Sequence, residues 1–347
     1  MHNYRNNDKK IKCLIWDLDN TLWKGILVEN DELKLAASVI NVIKELDKRG
    51  ILLSIASKNY YNEAMKRLEE FGLDEYFLVP QINWNSKSSS IEKIAELLNI
   101  SLDTVAFIDD QQFEREEVRS VHKKVRCYSE EEIEKILAFD EFIPNFLTEE
   151  SSSRRQMYKM DIERNKDEDE FIGTNDEFIK TLKLKLSLTY ATKDDLQRVE
   201  ELTLRTSQLN TTGLLFSYEE LESLIDDERY KFFVVDLEDR YGTYGKIGLI
   251  LINVEEIDKW RIKLFILSCR VMSRGIGNVL INLISNLAAE SNCELYADFN
   301  KTDRNRIMLI TYKLAGFKIV KTDNNKVLLK HDLNKIHLIP DYIEINY

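Results

Sequence analysis

The stretch Ile11 to Leu22, IKCLIWDLDNTL, constrains the fold more than any other part of the chain, because a continuous apolar run stops at two closely spaced carboxylates. An apolar run that ends in a polar turn is typical of a fully buried parallel strand. Ligands bind beyond the carboxyl ends of such strands. We therefore expect Asp17 and Asp19 to lie in a crevice at the end of the first strand of a parallel α/β sheet.

Two carboxylates this close repel each other, and a divalent cation relieves the crowding, normally Mg²⁺ with its preference for oxygen ligands. The pair would then support phosphoryl transfer. Asp17 is the candidate nucleophile, and Asp19 is the candidate acid that protonates the leaving oxygen and then activates water. With Thr21, the pattern D-x-D-x-T matches motif I of the haloacid dehalogenase (HAD) superfamily.

Length, charge and cysteine spacing limit the class of protein. The 347 residues predict two domains rather than one. A net charge of −12 gives no overall attraction to nucleic acid or to an anionic membrane. No apolar run of about 18 residues occurs and the first ten residues lack a signal-peptide core, so we expect a cytoplasmic protein. The cysteines lack metal or disulfide spacing and are expected to be free thiols: Cys13, Cys127, Cys269 and Cys293.

Three further polar sites in the first half complete a motif set. The predicted strand ILLSIASKN ends at Ser57, whose hydroxyl can hold a phosphoryl oxygen or cap the next helix. Lys87 precedes an amphipathic helix and offers positive charge to the nucleophile and to an aspartyl phosphate. The strand TVAFIDD delivers Asp109 and Asp110 as partners for a Mg²⁺ held by Asp17 and Asp19. The order of these motifs indicates a HAD domain.

The spacing between the motifs excludes a large cap. Only 35 residues separate motif I from Ser57, and 29 separate Ser57 from Lys87. In the first gap, the sequence pattern predicts a short hairpin flap in WKGILVENDELKL and a helix over residues 37–48. In the second gap, it predicts a helix from Asn62 to Phe71 and a strand over residues 77–79. The site is therefore expected to be open or covered by another part of the chain.

The second half begins after a densely charged stretch. We assign residues 1–146 to the HAD-like domain, 147–181 to a solvated helical connector and 182–347 to a second domain. The second domain starts with the alternating strand LKLKLSLTY. Thr192 and Asp195 then have capping-box spacing ahead of a helix over 196–205, and three strands follow over 230–269.

A glycine-containing turn follows the strand WRIKLFILSC. Arg274, Gly275, Ile276 and Gly277 lead into a helix, an arrangement that presents backbone N–H groups to a phosphate. A strand, a helix and a closing strand after Gly316-Phe317 follow. This succession resembles the GNAT N-acetyltransferase fold, an α+β domain whose loop holds the pyrophosphate of coenzyme A.

A HAD half joined to a GNAT-like half resembles the FkbH-like family, HAD subfamily IIIC, of modular polyketide pathways. The resemblance extends from residue 11 to about 330 and rests on IKCLIWDLDNTLWKG, SKN, INWNSKSSSI, FIDDQQFEREEVR, LRTSQLNTTG and SCRVMSRGIG. It implies transfer of a glyceryl group from 1,3-bisphosphoglycerate to the phosphopantetheine thiol of an acyl carrier protein, with removal of phosphate. The chain differs from the family at Gln111-Gln112, where Asn-Pro is expected.

The resemblance also implies roles for individual residues. It adds Thr21 and Asn59 as phosphate or substrate contacts, with further substrate or interface contacts in the RTSQLN stretch at Arg205, Gln208 and Asn210. The phosphopantetheine arm is expected to contact Arg270, Arg274, Gly275 and Gly277. Cys269 is the candidate for an enzyme thioester, with an ordinary buried strand cysteine as the alternative, whereas Cys13 lies in the core strand. A local basic surface for an acidic carrier is expected at Arg270, Arg274, Arg304 and Arg306.

The sequence therefore predicts a Mg²⁺-dependent glyceryltransferase/phosphatase. Three alternatives remain: a plain HAD phosphatase of a small metabolite, an N-acyltransferase that uses acetyl-coenzyme A, and a binding module without activity. The intact motif set disfavours the last two.

Overall fold

The computed structural model describes residues 10–29, 31–144 and 147–347. The chain divides into two compact units, Met1–Lys159 and Met160–Tyr347. Within the described residues, no helix combines the length and the apolar character needed to cross a membrane.

The first unit is built on a five-stranded parallel sheet in the order β3-β2-β1-β4-β5. Its strands are β1 (Cys13–Trp16), β2 (Leu52–Ser57), β3 (Gln81–Ile82), β4 (Val105–Ile108) and β5 (Arg126–Tyr128). Its helices are α1 (Ala37–Lys48), α2 (Tyr61–Glu70), α3 (Lys87–Leu97) and α4 (Gln112–Val121). Every residue of β1, β2 and β4 is buried, which explains their continuous apolar sequences.

Two local predictions for this unit are wrong. The strand expected over 77–79 is reduced to one bridge between Phe77 and Leu53, because Val79 has a φ of +45° and the strand forms only afterwards, at β3. In the part of the expected hairpin flap that the structure describes, which leaves out residue 30, the pairing is reduced to one bridge between Lys24 and Lys34 that encloses a 3-10 turn. The helix predicted over residues 37–48 is present as α1.

Three helices occupy the charged stretch: α5 (Glu149–Ser152), α6 (Arg154–Glu170) and α7 (Asn175–Thr181). The prediction that this stretch is solvated is wrong for Arg164, which is 1% exposed. Its Nε and Nη2 donate to the two carboxylate oxygens of Asp239 at 2.6 and 3.0 Å, and Nη1 donates to Asp161 at 2.5 Å. Long-range pairing buries this charge, which the composition of the stretch could not show.

The second unit contains an eight-stranded sheet in the order β11-β12-β10-β9-β8-β7-β6-β13. Its strands are β6 (Leu184–Tyr190), β7 (Tyr230–Asp239), β8 (Gly242–Asn253), β9 (Lys259–Leu267), β10 (Glu294–Asn300), β11 (Phe317–Asp323), β12 (Lys326–His331) and β13 (Ile343–Asn346). Its remaining helices are α8 (Leu196–Arg205), α9 (Tyr218–Ile225), α10 (Ile276–Glu290) and α11 (Arg306–Leu314).

Neighbouring strands of this sheet are antiparallel except in two pairs, β9 with β10 and β6 with β13. Helix α10 makes the crossover between the parallel strands β9 and β10, as the predicted strand–turn–helix–strand succession requires. The predicted fold class is confirmed in its architecture: in the described residues, a parallel α/β unit without a large cap precedes an α+β unit with a mixed sheet.

The strands β9 and β10 pair only along the first half of β9, from Lys259 to Ile262. Beyond that point a segment of the same unit lies against the edge of β9. The Thr211 N–H donates to Phe265 O at 3.1 Å and the Leu267 N–H donates to Leu209 O at 2.9 Å. Backbone groups left unpaired by the divergence thus find partners within the chain.

Candidate active site

The predicted residues of the first unit meet at one edge of its parallel sheet. Asp17 directly follows β1, Ser57 is the last residue of β2, and Asp109 directly follows β4. Because β2 and β4 pair with β1 on either side, their carboxyl ends are adjacent. These three side chains are buried, with Asp17 6%, Ser57 4% and Asp109 1% exposed.

Lys87, the first residue of α3, reaches this cluster from the side. Its Nζ donates to Asp17 Oδ1, to Asp109 Oδ2 at 2.8 Å and to the main-chain oxygen of Ala56 at 2.9 Å. Burial lowers the pKa of Lys87, but the two carboxylates more than offset this and raise it above its usual value. The lysine is therefore a fixed positive charge between the predicted nucleophile and a predicted metal ligand.

One ammonium does not neutralise the carboxylates around it. Burial, followed by the negative charge of Asp17, raises the pKa of Asp109 to about 6 although Lys87 acts in the opposite direction. The pKa of Asp110 is also raised, first by burial and then by Asp17. The cluster thus lacks positive charge, and a cation would stabilise its ionised form.

Three carboxylates are placed to hold a divalent cation. One oxygen from each of Asp17, Asp109 and Asp110 lies within 4.8 Å of the others. With Mg–O distances of about 2 Å, adjacent oxygens of an octahedral Mg²⁺ site lie about 3 Å apart and opposite ones about 4 Å, so the three carboxylates would draw closer together around the ion. The donor set, all carboxylate oxygens with a shortage of positive charge, fits Mg²⁺. The Asp19 carboxylate, predicted as a fourth ligand, does not belong to this group.

Asp19 is instead held by hydrogen bonds in a separate position. Its Oδ1 accepts from Trp23 Nε1 at 2.8 Å and from the Leu27 N–H at 3.1 Å, and its Oδ2 accepts from Asn59 Nδ2 at 2.8 Å. These donors fix the orientation of the carboxylate, as a general acid and base requires. Asn59, predicted as a substrate contact, therefore positions Asp19.

The loop after β4 is tied to motif I. The Thr21 hydroxyl accepts from the Asp110 N–H at 2.9 Å, and the Gln111 N–H donates to Asp109 Oδ1 at 2.8 Å. Arg115, which sequence reasoning missed, donates to the main-chain oxygens of Asp109 and Asp110 at 2.6 and 2.8 Å. The Gln-Gln sequence thus leaves the loop ordered around the two carboxylates. The arginine stands within the stretch FERE, which was the available signal.

The second unit places Cys269 two residues after the end of β9, at the start of the 3-10 turn Cys269–Arg274. Cys269 is half-buried, and its Sγ lies 4.0 Å from Oε1 of Gln208. Two predicted residues of this unit therefore meet. Cys13 is fully buried in the first unit, and burial raises the pKa of its thiol far above the usual value, which disfavours a thiolate there.

Arg274 does not lie on the basic surface predicted for it. It is 2% exposed, and its guanidinium donates to Glu168 Oε2 at 2.6 Å and to Asn165 Oδ1 at 3.2 Å. The prediction of an accessible Arg274 is wrong because acidic and amide groups of α6 hold the side chain in the interior. Arg270 is half-buried and donates to Tyr244 O at 2.7 Å.

The two glycines of the turn differ in role. Gly275 has a φ of +70° and an added Cβ would meet no atom within 4 Å, so it provides the left-handed turn before α10. At Gly277 an added Cβ would lie 3.2 Å from Thr311 Cγ2, so this glycine allows α10 to pack on α11. A cavity of about 70 Å³ beside them is lined by apolar side chains, such as Leu209 and Met272, together with polar ones, such as Asn278 and Thr311.

Two residues of the RTSQLN stretch, Arg205 and Asn210, differ in burial. Arg205 is half-buried, and its Nη1 lies 3.6 Å from Oε1 of Glu201. Asn210 is 1% exposed, and its Oδ1 accepts from the N–H groups of Thr212 and Gly213 at 3.1 and 2.8 Å. The prediction of Asn210 as a substrate contact is wrong, because its side chain is used to form a buried turn.

Comparison with known proteins gives a family match within the first unit. A model of the haloacid dehalogenase-like hydrolase family matches residues 18–125. The chain is similar to the N-terminal part of the protein BF1531 from Bacteroides fragilis, which contains a phosphatase domain complexed with Mg. The identity is 30% over 35% of this chain and 36% of that chain, with a TM-score of 0.33. The chain thus covers only about a third of that structure's length. No curated protein matches the chain significantly.

Acetyltransferase structures are also similar to parts of the chain. The ribosomal-protein-S18-alanine N-acetyltransferase from Escherichia coli is 12% identical over 45% of this chain and 97% of that chain, with a TM-score of 0.34. The spermidine N-acetyltransferase from Vibrio cholerae in complex with CoA and spermine is 18% identical over 42% of this chain and 92% of that chain, with a TM-score of 0.32. The family match within the first unit shows that this chain contains a haloacid dehalogenase-like hydrolase domain.

Proposed function

We propose that this protein is a Mg²⁺-dependent, FkbH-like phosphatase and acyltransferase. It takes the glyceryl unit of 1,3-bisphosphoglycerate, removes phosphate and loads the glyceryl unit onto the phosphopantetheine thiol of an acyl carrier protein in polyketide-type biosynthesis. The observation that carries the proposal is the buried contact of Lys87 with both Asp17 and Asp109 in a hydrolase domain that is joined to a GNAT-like unit.

The phosphatase step uses the carboxyl end of the parallel sheet. Asp17 attacks the phosphorus of the phosphate ester at C3, the bond between phosphorus and the C3 oxygen breaks, and Asp19 protonates that oxygen. Asp19 then takes a proton from the water that hydrolyses the aspartyl phosphate. Lys87 and Ser57 hold the phosphoryl oxygens. When bound by Asp17, Asp109 and Asp110, Mg²⁺ supplies positive charge to the phosphoryl group.

The acyl step requires a thiol. A thiolate attacks the C1 carbonyl carbon and forms a thioester, and phosphate leaves C1 with the bonding electrons. Cys269 is our candidate for this thiol, because it is partly exposed at the end of β9 beside Gln208. Exchange with the carrier thiol then transfers the glyceryl unit. Because the loaded group carries no phosphate, two phosphate ions are released for each glyceryl unit loaded.

The proposed carrier-docking surface contains fewer accessible arginines than the sequence predicted. Arg274 is buried, whereas Arg270 and Arg304 are half-buried and Arg306 is exposed. These last three arginines are the candidates for contact with an acidic carrier.

Mass spectrometry of intact proteins tests the proposal. A phosphopantetheinylated carrier protein is incubated with this protein, Mg²⁺ and enzymatically generated 1,3-bisphosphoglycerate, and phosphate release is measured in parallel. We expect the carrier to gain the mass of one glyceryl unit, and Cys269→Ala to lose this loading while it still releases phosphate from C3. Loading by Cys269→Ala at the normal rate would contradict the enzyme thioester.

The alternative is a plain Mg²⁺-dependent phosphatase of a small phosphorylated metabolite. The burial of Arg274 and Asn210 favours it, because both were expected to contact a substrate or the pantetheine arm. Steady phosphate release that is unaffected by any carrier protein, with no mass gain on the carrier, would establish this alternative.

A further inference from the structure

Lys58, which has no role in the steps above, lies between Ser57 and Asn59 and forms an ion pair with Glu114. Its Nζ lies 2.6 Å from Glu114 Oε1. Lys58 directly follows β2, whereas Glu114 is in the first turn of α4, just after β4. Because β2 and β4 flank β1, this ion pair joins the loops on either side of the strand that leads to Asp17.

The Lys58 side chain is partly accessible to an incoming anion. The Lys58 side chain is 38% exposed and that of Glu114 is 9% exposed. Glu114 is the less exposed partner, so moving the lysine to another anion leaves this carboxylate without its cation, a cost that binding of the new anion must offset. Lys87 differs, since its side chain is 4% exposed and contacts two carboxylates.

The charge of the site creates a need for such a cation. The motif residues Asp17, Asp19, Asp109 and Asp110 carry four carboxylates, and the one ammonium of Lys87 contacts two of them, so three negative charges remain when all are ionised. A divalent cation leaves one. A substrate with two phosphoryl groups adds negative charge that Lys87 and the cation, already engaged at the reacting phosphorus, do not offset.

We propose that Lys58 leaves Glu114 on substrate binding and holds the second, non-reacting phosphoryl group of a bisphosphorylated three-carbon substrate. The inference rests on the proposed function and adds the order in which the two phosphoryl groups are removed. The ester at C3 is cleaved while the acyl phosphate is still present at C1, because only then does the substrate carry a second phosphoryl group. Glu114 keeps the Lys58 head group in place in the free protein.

Binding of two stable probes tests this subsite without turnover. In full-length Asp17→Asn protein with Mg²⁺, titration calorimetry compares propane-1,3-diol bisphosphate with propyl phosphate, which lacks the second phosphoryl group. We expect the bisphosphate to bind more tightly. Adding Lys58→Met should weaken bisphosphate binding about tenfold or more and change propyl phosphate binding by less than about twofold. Lys58→Arg should restore most of the difference.

Glu114→Gln shows whether Lys58 binds the substrate or only forms a structural ion pair with Glu114. It frees Lys58, so bisphosphate binding should be unchanged or tighter. The subsite is refuted if the parent protein does not distinguish the two probes, if Lys58→Met weakens both equally, or if Glu114→Gln weakens the bisphosphate as much as Lys58→Met does. If the probes behave as expected but no carrier is loaded, the subsite stands and the proposed acyl transfer is wrong.

Discussion

Nζ of Lys87 lies 2.8 Å from Oδ2 of Asp109, and both side chains are almost fully buried. Lys87 begins α3 and Asp109 follows β4, so the contact joins the start of a helix to the end of a strand. The same ammonium also contacts Asp17. Charge balance at this one lysine therefore connects the stability of the first unit with its proposed chemistry.

Removal of the Lys87 charge should affect both properties. Lys87→Met leaves Asp17 and Asp109 buried without their cation, and breaking a buried ion pair in this way costs about 3–5 kcal/mol. We expect a loss of this order in the free energy of unfolding, measured with urea in EDTA. Mg²⁺ should restore part of the loss, because it replaces positive charge at the same carboxylates.

Lys93→Met is the matched control, because Lys93 lies in the same helix and its side chain is 51% exposed beside Glu96. This variant should stay within about 0.5 kcal/mol of the wild type. Equal stability of the two variants in EDTA would contradict the buried charge balance described for Lys87.

The raised pKa of Asp109 predicts a pH dependence of stability. Folding raises this pKa from 3.8 to about 6, so the native state favours the protonated carboxyl group. Stability should therefore be lost as the pH rises from about 4 to above 6, by on the order of 2–3 kcal/mol from this group. Urea unfolding in EDTA at several pH values measures the free energy of unfolding of the wild type and of Asp109→Asn. The difference between the two isolates the contribution of Asp109. A difference that does not change with pH would contradict it.

Asp17→Asn tests the nucleophile. The amide cannot form an aspartyl phosphate, so phosphate release from 1,3-bisphosphoglycerate at C3 should fall by at least about 10³-fold. Circular dichroism should show an unchanged fold, because asparagine has nearly the same shape as aspartate. Phosphate release at the wild-type rate would refute the assignment of Asp17.

The arrangement of the first unit could be predicted because local signals determine it. Buried parallel strands have continuous apolar sequences, and their polar carboxyl ends place Asp17, Ser57 and Asp109 at the same edge of the sheet. Lys87 was predicted from its position before a helix. The partners of Asp19 were not, because its contacts with Trp23 and Asn59 depend on how loops fold back.

Long-range pairing explains what the sequence did not reveal in the second unit. The helix α8 and the capping box of Thr192 and Asp195, which caps the 3-10 turn just before α8, follow from local pattern. Asn210 is buried because its segment pairs with Ile266 of β9, which lies more than 50 residues further along the chain. The environment of Arg274 depends on α6, more than 100 residues away. A charged side chain before a glycine turn indicates a phosphate site and a structural ion pair equally well.

Arg274→Ala distinguishes these two roles. Because Arg274 is buried and paired with Glu168, its loss should lower the free energy of unfolding by about 3 kcal/mol. Arg306→Ala, at an exposed position, should change stability by less than about 0.5 kcal/mol. A Glu168→Gln background should reduce the effect of Arg274→Ala, because the ion pair is already absent. If Arg274→Ala instead keeps full stability and weakens only carrier loading, the arginine contacts the pantetheine arm as the sequence suggested.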